Sequence, residues 1–227
     1  MTSVWSVRLA MTALALMIVV STILSGLVVV AFETPVDSMD ISDPKVLLFV
    51  VLANCIGVLS GLVYALRAIG PTALRWSPCS REDAAWAVAM VVPSFAIGNL
   101  IAIVAGYLGV HSEPQMIVEA MLTTTSIPAL IGTLTYAIVG ASILEEALFR
   151  GILQPAFIHR FGVVSGIAVT SVLFGLVHMA DVWVVVPLIM VGAIAGWLRH
   201  RTGGLGAPIL FHAAHNAVAF GFTVMAT

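Results

Sequence analysis

Apolar residues run along this chain in blocks, with polar residues gathered between them. The blocks cover about residues 9–32, 46–69, 84–110, 128–159, 163–180, 182–198 and 205–226. At about 1.5 Å of helical rise per residue, each is near the length that crosses a hydrocarbon core of about 30 Å. In lipid, backbone N–H and C=O groups must pair within the segment, so runs of this length form helices. Strands of a membrane barrel would be about 10 residues long with alternating polarity. The pattern therefore predicts seven spans. The first follows Arg8, as the core of a signal peptide would, but it is 24 residues long (9–32) against the usual stretch of about 7 to 15. It also has no convincing small-x-small cleavage site, and it reads as a retained helix.

Composition supports this reading. Hydrophobic residues make up 61% of the chain and charged residues 9%, with a mean hydropathy of +1.13, which excludes an ordinary soluble fold. A net charge of −2 without a basic run offers no footprint for nucleic acid. Cys55, inside a span, and Cys79, in a loop, do not form a disulfide framework. The expected fold is all-α, a polytopic transmembrane helical bundle in one domain over residues 1–227. The first three spans fall in 1–127 and the polar motifs in 128–227.

If the spans alternate, eight arginines between Arg8 and Arg201 share one side with the amino terminus, against Lys45 on the other. Glu33, Asp37, Asp40, Asp43, Glu113, Glu119 and Asp181 gather on Lys45's side. The positive-inside rule then puts the amino terminus in the cytoplasm and the carboxy terminus across the membrane. With no transit-peptide signature, the expected location is the cell membrane. The loop Pro71–Asp83, with Trp76 and two arginines, is expected to lie along the cytoplasmic interface as an anchor.

Ionisable groups inside a span are costly and point to function. Here they concentrate in Glu145-Glu146-x-x-x-Arg150 on the fourth span, Phe174-x-x-x-His178 on the fifth and His212-x-x-His215-Asn216 on the seventh. Adjacent glutamates on a helix point about 100° apart, so Glu145 and Glu146 have different roles. Glu146 precedes Arg150 by four residues, the favourable order for an ion pair, which leaves Glu145 as the free carboxylate. A turn at Arg160-Phe161-Gly162 stands midway between residues 145 and 178, so an antiparallel hairpin brings Glu145 and His178 to one level. The same arithmetic makes the fifth and sixth spans short or tilted, with Asp181 facing a polar cavity. Phe174 is expected to pack beside His178.

His212 and Asn216, four apart, share a helical face; His215 is a rival of His212 ranked below it. A free carboxylate, two imidazoles and an amide suit activation of water for attack on an amide carbonyl. Glu145 is then the candidate base, His178 holds or orients the water, and His212 with Asn216 donates to the developing oxyanion. Neither Ser142, Ser171 nor Cys55 has an evident base beside it in the sequence.

These three motifs, EExxxR, FxxxH and HxxxN in that order, resemble those of the CPBP intramembrane proteases. That family includes CAAX prenyl endopeptidases and bacteriocin-processing or self-immunity proteins. The resemblance covers about residues 129–220. It implies a membrane endopeptidase opening toward the cytoplasm, with Glu145 and His178 activating water, His212 and Asn216 forming the oxyanion site, and Glu146 and Arg150 supporting them. It also implies peptide or prenylated-protein substrates within a lipid bilayer. No cofactor is expected; the alternative is zinc on Glu145, His178 and His212, although HExxH spacing is absent. Other readings are a non-enzymatic self-immunity or scaffold protein using the same residues as a polar core, or a metal or ion carrier. The sequence leaves oligomeric state open.

Overall fold

The structure is a computed structural model, described for residues 5–31, 40, 42–109, 116–178 and 182–225. Its elements are helical throughout these residues. Helix α1 spans Val7–Ala31 and α2 spans Pro44–Ile69, the latter capped where the Asp43 side chain accepts from the Lys45 amide. A 3₁₀ turn, Pro71–Leu74, leads to α3 (Arg81–Ala89) and α4 (Val91–Tyr107). The short α5 (Met116–Thr123) precedes one long helical run made of α6 (Ile127–Thr135), α7 (Ala141–Leu148) and α8 (Gln154–Phe161). Two π-helical segments, Tyr136–Gly140 and Phe149–Leu153, join its parts. Helices α9 (Val163–Leu176), α10 (Val182–Thr202) and α11 (Gly206–Met225) complete the bundle.

Every apolar block contains helix, and five helices among the described residues are long and apolar enough to cross a membrane: Val7–Val28, Pro44–Ile69, Arg81–Tyr107, Ile127–Phe161 and Trp183–Thr202. The difference from seven lies in α9 and α11. Helix α9 has 14 residues, about 21 Å of rise, and is short as expected of the fifth span, whereas the sixth, α10, has 21 residues and is not short. Helix α11 carries His212, His215 and Asn216 within its apolar run. The expected loop 71–83 is also shorter, because Ser80 caps α3 by accepting from the Asp83 amide, and Glu82 and Asp83 favour a helix start there. Asp181, Glu33, Asp37 and Glu113 lie outside the described residues, as does the side chain of Glu119.

Glycines set the closest helix contacts. A Cβ on Gly61 of α2 would run into the Ala13 carbonyl of α1, and one on Gly57 into Ser21. Gly162, at φ 84°, turns the chain between α8 and α9, and Gly166 lets α9 lie against Ile158. At the end of α10, Arg201 bonds Glu82 at 2.8 Å and lies 4.8 Å from the centre of Trp86, which meets Trp197 edge-on at 5.9 Å. This cluster ties α3 to α10. The core beneath the polar site is formed by Leu148, Phe149, Leu153, Phe174, Leu198 and Phe211, each fully buried or within 1% of it.

Candidate active site

The polar residues of the long helix divide by depth. Glu146 and Arg150 are fully buried and pair at 3.2 Å, the i,i+4 contact expected from their spacing. A buried guanidinium needs more than one partner to offset its lost hydration. Arg150 donates a second bond, Nη2 to the Gly192 carbonyl at 2.8 Å, and its Cζ lies 4.7 Å from the centre of the Phe174 ring. Gln154, one turn on, donates to the Gly196 carbonyl at 2.9 Å. Any side chain at Gly192 or Gly196 would crowd these contacts: a Cβ there would lie 3.3 Å from Arg150 Nη2 or 3.0 Å from Gln154 Oε1. Gln154, Gly192 and Gly196 lie outside the three motifs. The Gly-x-x-x-Gly spacing on α10 is the signal that could have found the glycines.

Glu146 also orders a histidine. Its Oε1 lies 2.9 Å from His212 Nδ1, and with Arg150 on the same carboxylate the imidazole is the donor. His178 Nδ1 is 2.7 Å from the Phe174 carbonyl, which can only accept, so this ring donates there too. In its neutral form each ring therefore carries its lone pair on Nε2. These two nitrogens point to the same atom, Glu145 Oε2, at 3.9 Å from His178 and 4.0 Å from His212. Glu145 Oε2 is buried and has no hydrogen-bond partner. Glu145 and His178 nonetheless keep 20% and 22% of their side-chain surface, so the cluster is reachable.

Glu145 and His178 therefore meet across the hairpin, as the midpoint arithmetic predicts. The structure differs in local detail: His178 lies beyond the last residue of α9, Leu176, in a turn where its amide bonds the Gly175 carbonyl at 3.2 Å. A histidine in a turn is freer to aim its ring than one fixed in mid-helix. Phe174 does more than pack beside His178. Its ring lies 4.9 Å from His178, 5.7 Å and edge-on from His212, and 5.2 Å from Phe149, forming a wall shared with Arg150.

Asn216 is on the face of α11 that meets the long helix, where its Nδ2 donates to the Ala137 carbonyl at 2.8 Å. One amide proton is committed there and the other is left. His215 turns away from the cluster; its Nδ1 is 2.9 Å from Ser94 Oγ on α4, and its ring stacks on Phe95 at 4.7 Å. Ser142 and Ser171 donate to the carbonyls of Ile138 and Ile167 on their own helices.

The donor set His178, His212 and Glu145 invites comparison with zinc. Tetrahedral zinc with bonds of about 2.05 Å holds neighbouring donors roughly 3.3 Å apart. The separations here are 3.9 and 4.0 Å, and among the described residues no group of three or more His, Cys, Asp or Glu forms a metal cluster. As arranged, these side chains do not fit the ion.

Residues 127–218, which contain the whole of this cluster, match the family model described as type II CAAX prenyl endopeptidase Rce1-like. The match supports the CPBP assignment that the motifs suggested. An Escherichia coli protein named "Uncharacterized 24.3 kDa protein" is 35% identical over 109 residues, which is 46% of this chain and 49% of that protein. The alignment thus spans about half the length of the curated relative. No solved structure matches the chain.

Proposed function

We propose that the protein is an intramembrane endopeptidase that hydrolyses peptide bonds with water activated by Glu145. The observation that supports this is the convergence on Glu145 Oε2, a buried oxygen without a partner, of two Nε2 lone pairs. Three acceptors cannot bond one another; they can share a water, which brings two protons. In this reading Glu145 takes one proton as the water oxygen attacks the amide carbon, while His178 holds the other. The C–O bond forms and the carbonyl oxygen becomes an oxyanion. His212, its ring held by the Nδ1–H bond to the Glu146 carboxylate, donates to that oxyanion from Nε2 in the form that carries a proton there. The free amide proton of Asn216 is the second donor. Collapse breaks the C–N bond, and the proton on Glu145 passes to the leaving amine, giving a new carboxylate and a new amino terminus.

The substrates in this reading are peptide segments delivered in the bilayer, including prenylated CAAX proteins. The site faces the cytoplasm of the cell membrane, on the side that the arginine distribution marks. All seven apolar blocks contribute to the embedded body. No metal ion takes part.

The test is cleavage of a quenched-fluorescent peptide set that includes a prenylated CAAX peptide, by wild type and Glu145→Gln, with and without a zinc chelator. Cleavage that resists chelation and disappears in Glu145→Gln is expected. Equal cleavage by a folded Glu145→Gln would remove Glu145 as the base. Loss of activity to chelator, restored by zinc, would replace the metal-free mechanism. Saturable metal uptake into vesicles without peptide cleavage would favour a carrier.

A further inference from the structure

The catalytic turn lies between two places where the long helix changes its hydrogen-bond register. In an α-helix each amide reaches back four residues; in a π segment it reaches back five, and on return to the α register one carbonyl is passed over. Ala141 N–H bonds Tyr136 O and Gln154 N–H bonds Phe149 O, both five back. The carbonyls passed over are those of Ala137 and Arg150, the second residue of each segment. At the second segment Pro155 follows Gln154 and has no N–H to offer, so no amide from the next position can recover the loss. A buried carbonyl in a membrane helix needs a donor from elsewhere.

Each receives one from a different helix. Asn216 Nδ2 of α11 donates to Ala137 O at 2.8 Å, and Arg199 Nε of α10 donates to Arg150 O at 3.3 Å. Arg199 is 7% exposed, an uncommon position for an arginine without a carboxylate partner among the described residues. It belongs to none of the three motifs, and the chemistry just proposed does not use it.

We infer that Arg199 is a positioning residue for the endopeptidase reaction: its Nε–H holds the register shift at Phe149–Leu153, which aims Arg150 at Glu146 and, through Glu146, His212 at Glu145. The inference rests on the proposed function. If the second segment relaxed to a plain α-helix, one residue would be absorbed and the chain beyond it would turn by about 100°. Arg150 and Gln154 would then lose their aim at the Gly192 and Gly196 carbonyls. With Arg150 displaced, Glu146 loses the partner that fixes Oε1 under His212 Nδ1, and His212 Nε2 loses its direction.

Two substitutions separate the donor from the charge. Glutamine places its amide nitrogen the same number of bonds from Cα as arginine Nε, keeping a donor there without a charge. Lysine keeps a charge but has a methylene at that position, with its ammonium one bond further out. The register role predicts that Arg199→Gln stays within about threefold of wild-type kcat, whereas Arg199→Lys loses about 10 to 100-fold, with KM within about twofold in both. A role in topology or surface charge predicts the opposite order.

The second readout is the nitrogen-15 spectrum of histidine-labelled protein, which needs no substrate. The His212 Nδ1–H signal bonded to Glu146 should persist in Arg199→Gln and shift or broaden in Arg199→Lys. Equal behaviour of the two variants, or a lysine variant with wild-type kcat and an unmoved His212 signal, overturns the inference. A wild-type protein that cuts no peptide would count against the proposed function, while the order of the two histidine spectra would still decide whether Arg199 holds the register.

Discussion

Two helix pairs in this molecule use the same glycine spacing for different ends. On α2, Gly57 and Gly61 are four apart and let the backbone of α1 approach, with apolar neighbours such as Leu62, Val58 and Ala13 around them. On α10, Gly192 and Gly196 are also four apart, but their bare carbonyls accept bonds from Arg150 and Gln154 of the long helix. In lipid, where apolar contact between helices gains little over contact with acyl chains, close packing and interhelical hydrogen bonds drive association. At the first pair the glycines serve close packing, against the Ala13 carbonyl and Ser21. The second adds buried polar side chains whose other contacts lead through Glu146 to the candidate site, so its geometry bears on chemistry as well as stability.

Substitutions can break this contrast. Glu145→Gln should have the largest effect on activity, a loss of about 100 to 10,000-fold in kcat. Its thermal unfolding should stay close to wild type, because Glu145 Oε2 makes no hydrogen bond in the folded state. Arg150→Met should act on both properties, since it leaves Glu146 buried without its cation. The expected destabilisation is about 3 to 5 kcal/mol, measured by unfolding in detergent, and cleavage should vanish with it.

The two glycine pairs then give matched experiments. Gly61→Ala and Gly192→Ala should each cost about 1 to 3 kcal/mol through overpacking. Only Gly192→Ala should also lower kcat in the protein that remains folded, because its Cβ would lie 3.3 Å from Arg150 Nη2. Equal kcat in the two alanine variants would show that the α10 carbonyls carry no information to the site. The smallest effect belongs to Ser94→Ala, which removes the His215 bond between α4 and α11. A loss of about 0.5 to 1.5 kcal/mol with kcat within twofold is expected; a large fall in kcat would bring His215 into the chemistry.

Much of the arrangement was legible before the structure. Block length marked the helices, the four-residue spacing marked the Glu146–Arg150 pair, and the midpoint at the Arg160–Gly162 turn placed Glu145 opposite His178. Other features left a weaker trace. The end of α9 at Leu176, which puts His178 in a turn, falls inside an apolar run that continues to Met179 and Ala180. Phe174 read as packing because ring spacing along a helix does not reveal a guanidinium or a second imidazole arriving from other elements.

The main helical blocks, the polar groups set within them and which of those groups share a face or a level were legible in the sequence, because apolar length and helical period are local quantities. Tertiary structure alone decided the register shifts at Tyr136–Gly140 and Phe149–Leu153, the donation of Asn216 to Ala137 and of Arg199 to Arg150, and the turning of His215 toward Ser94. Reaching back four or five residues differs little in local energy once a passed-over carbonyl finds another donor. That donor comes from a helix tens of residues away, so the choice is made when the helices pack.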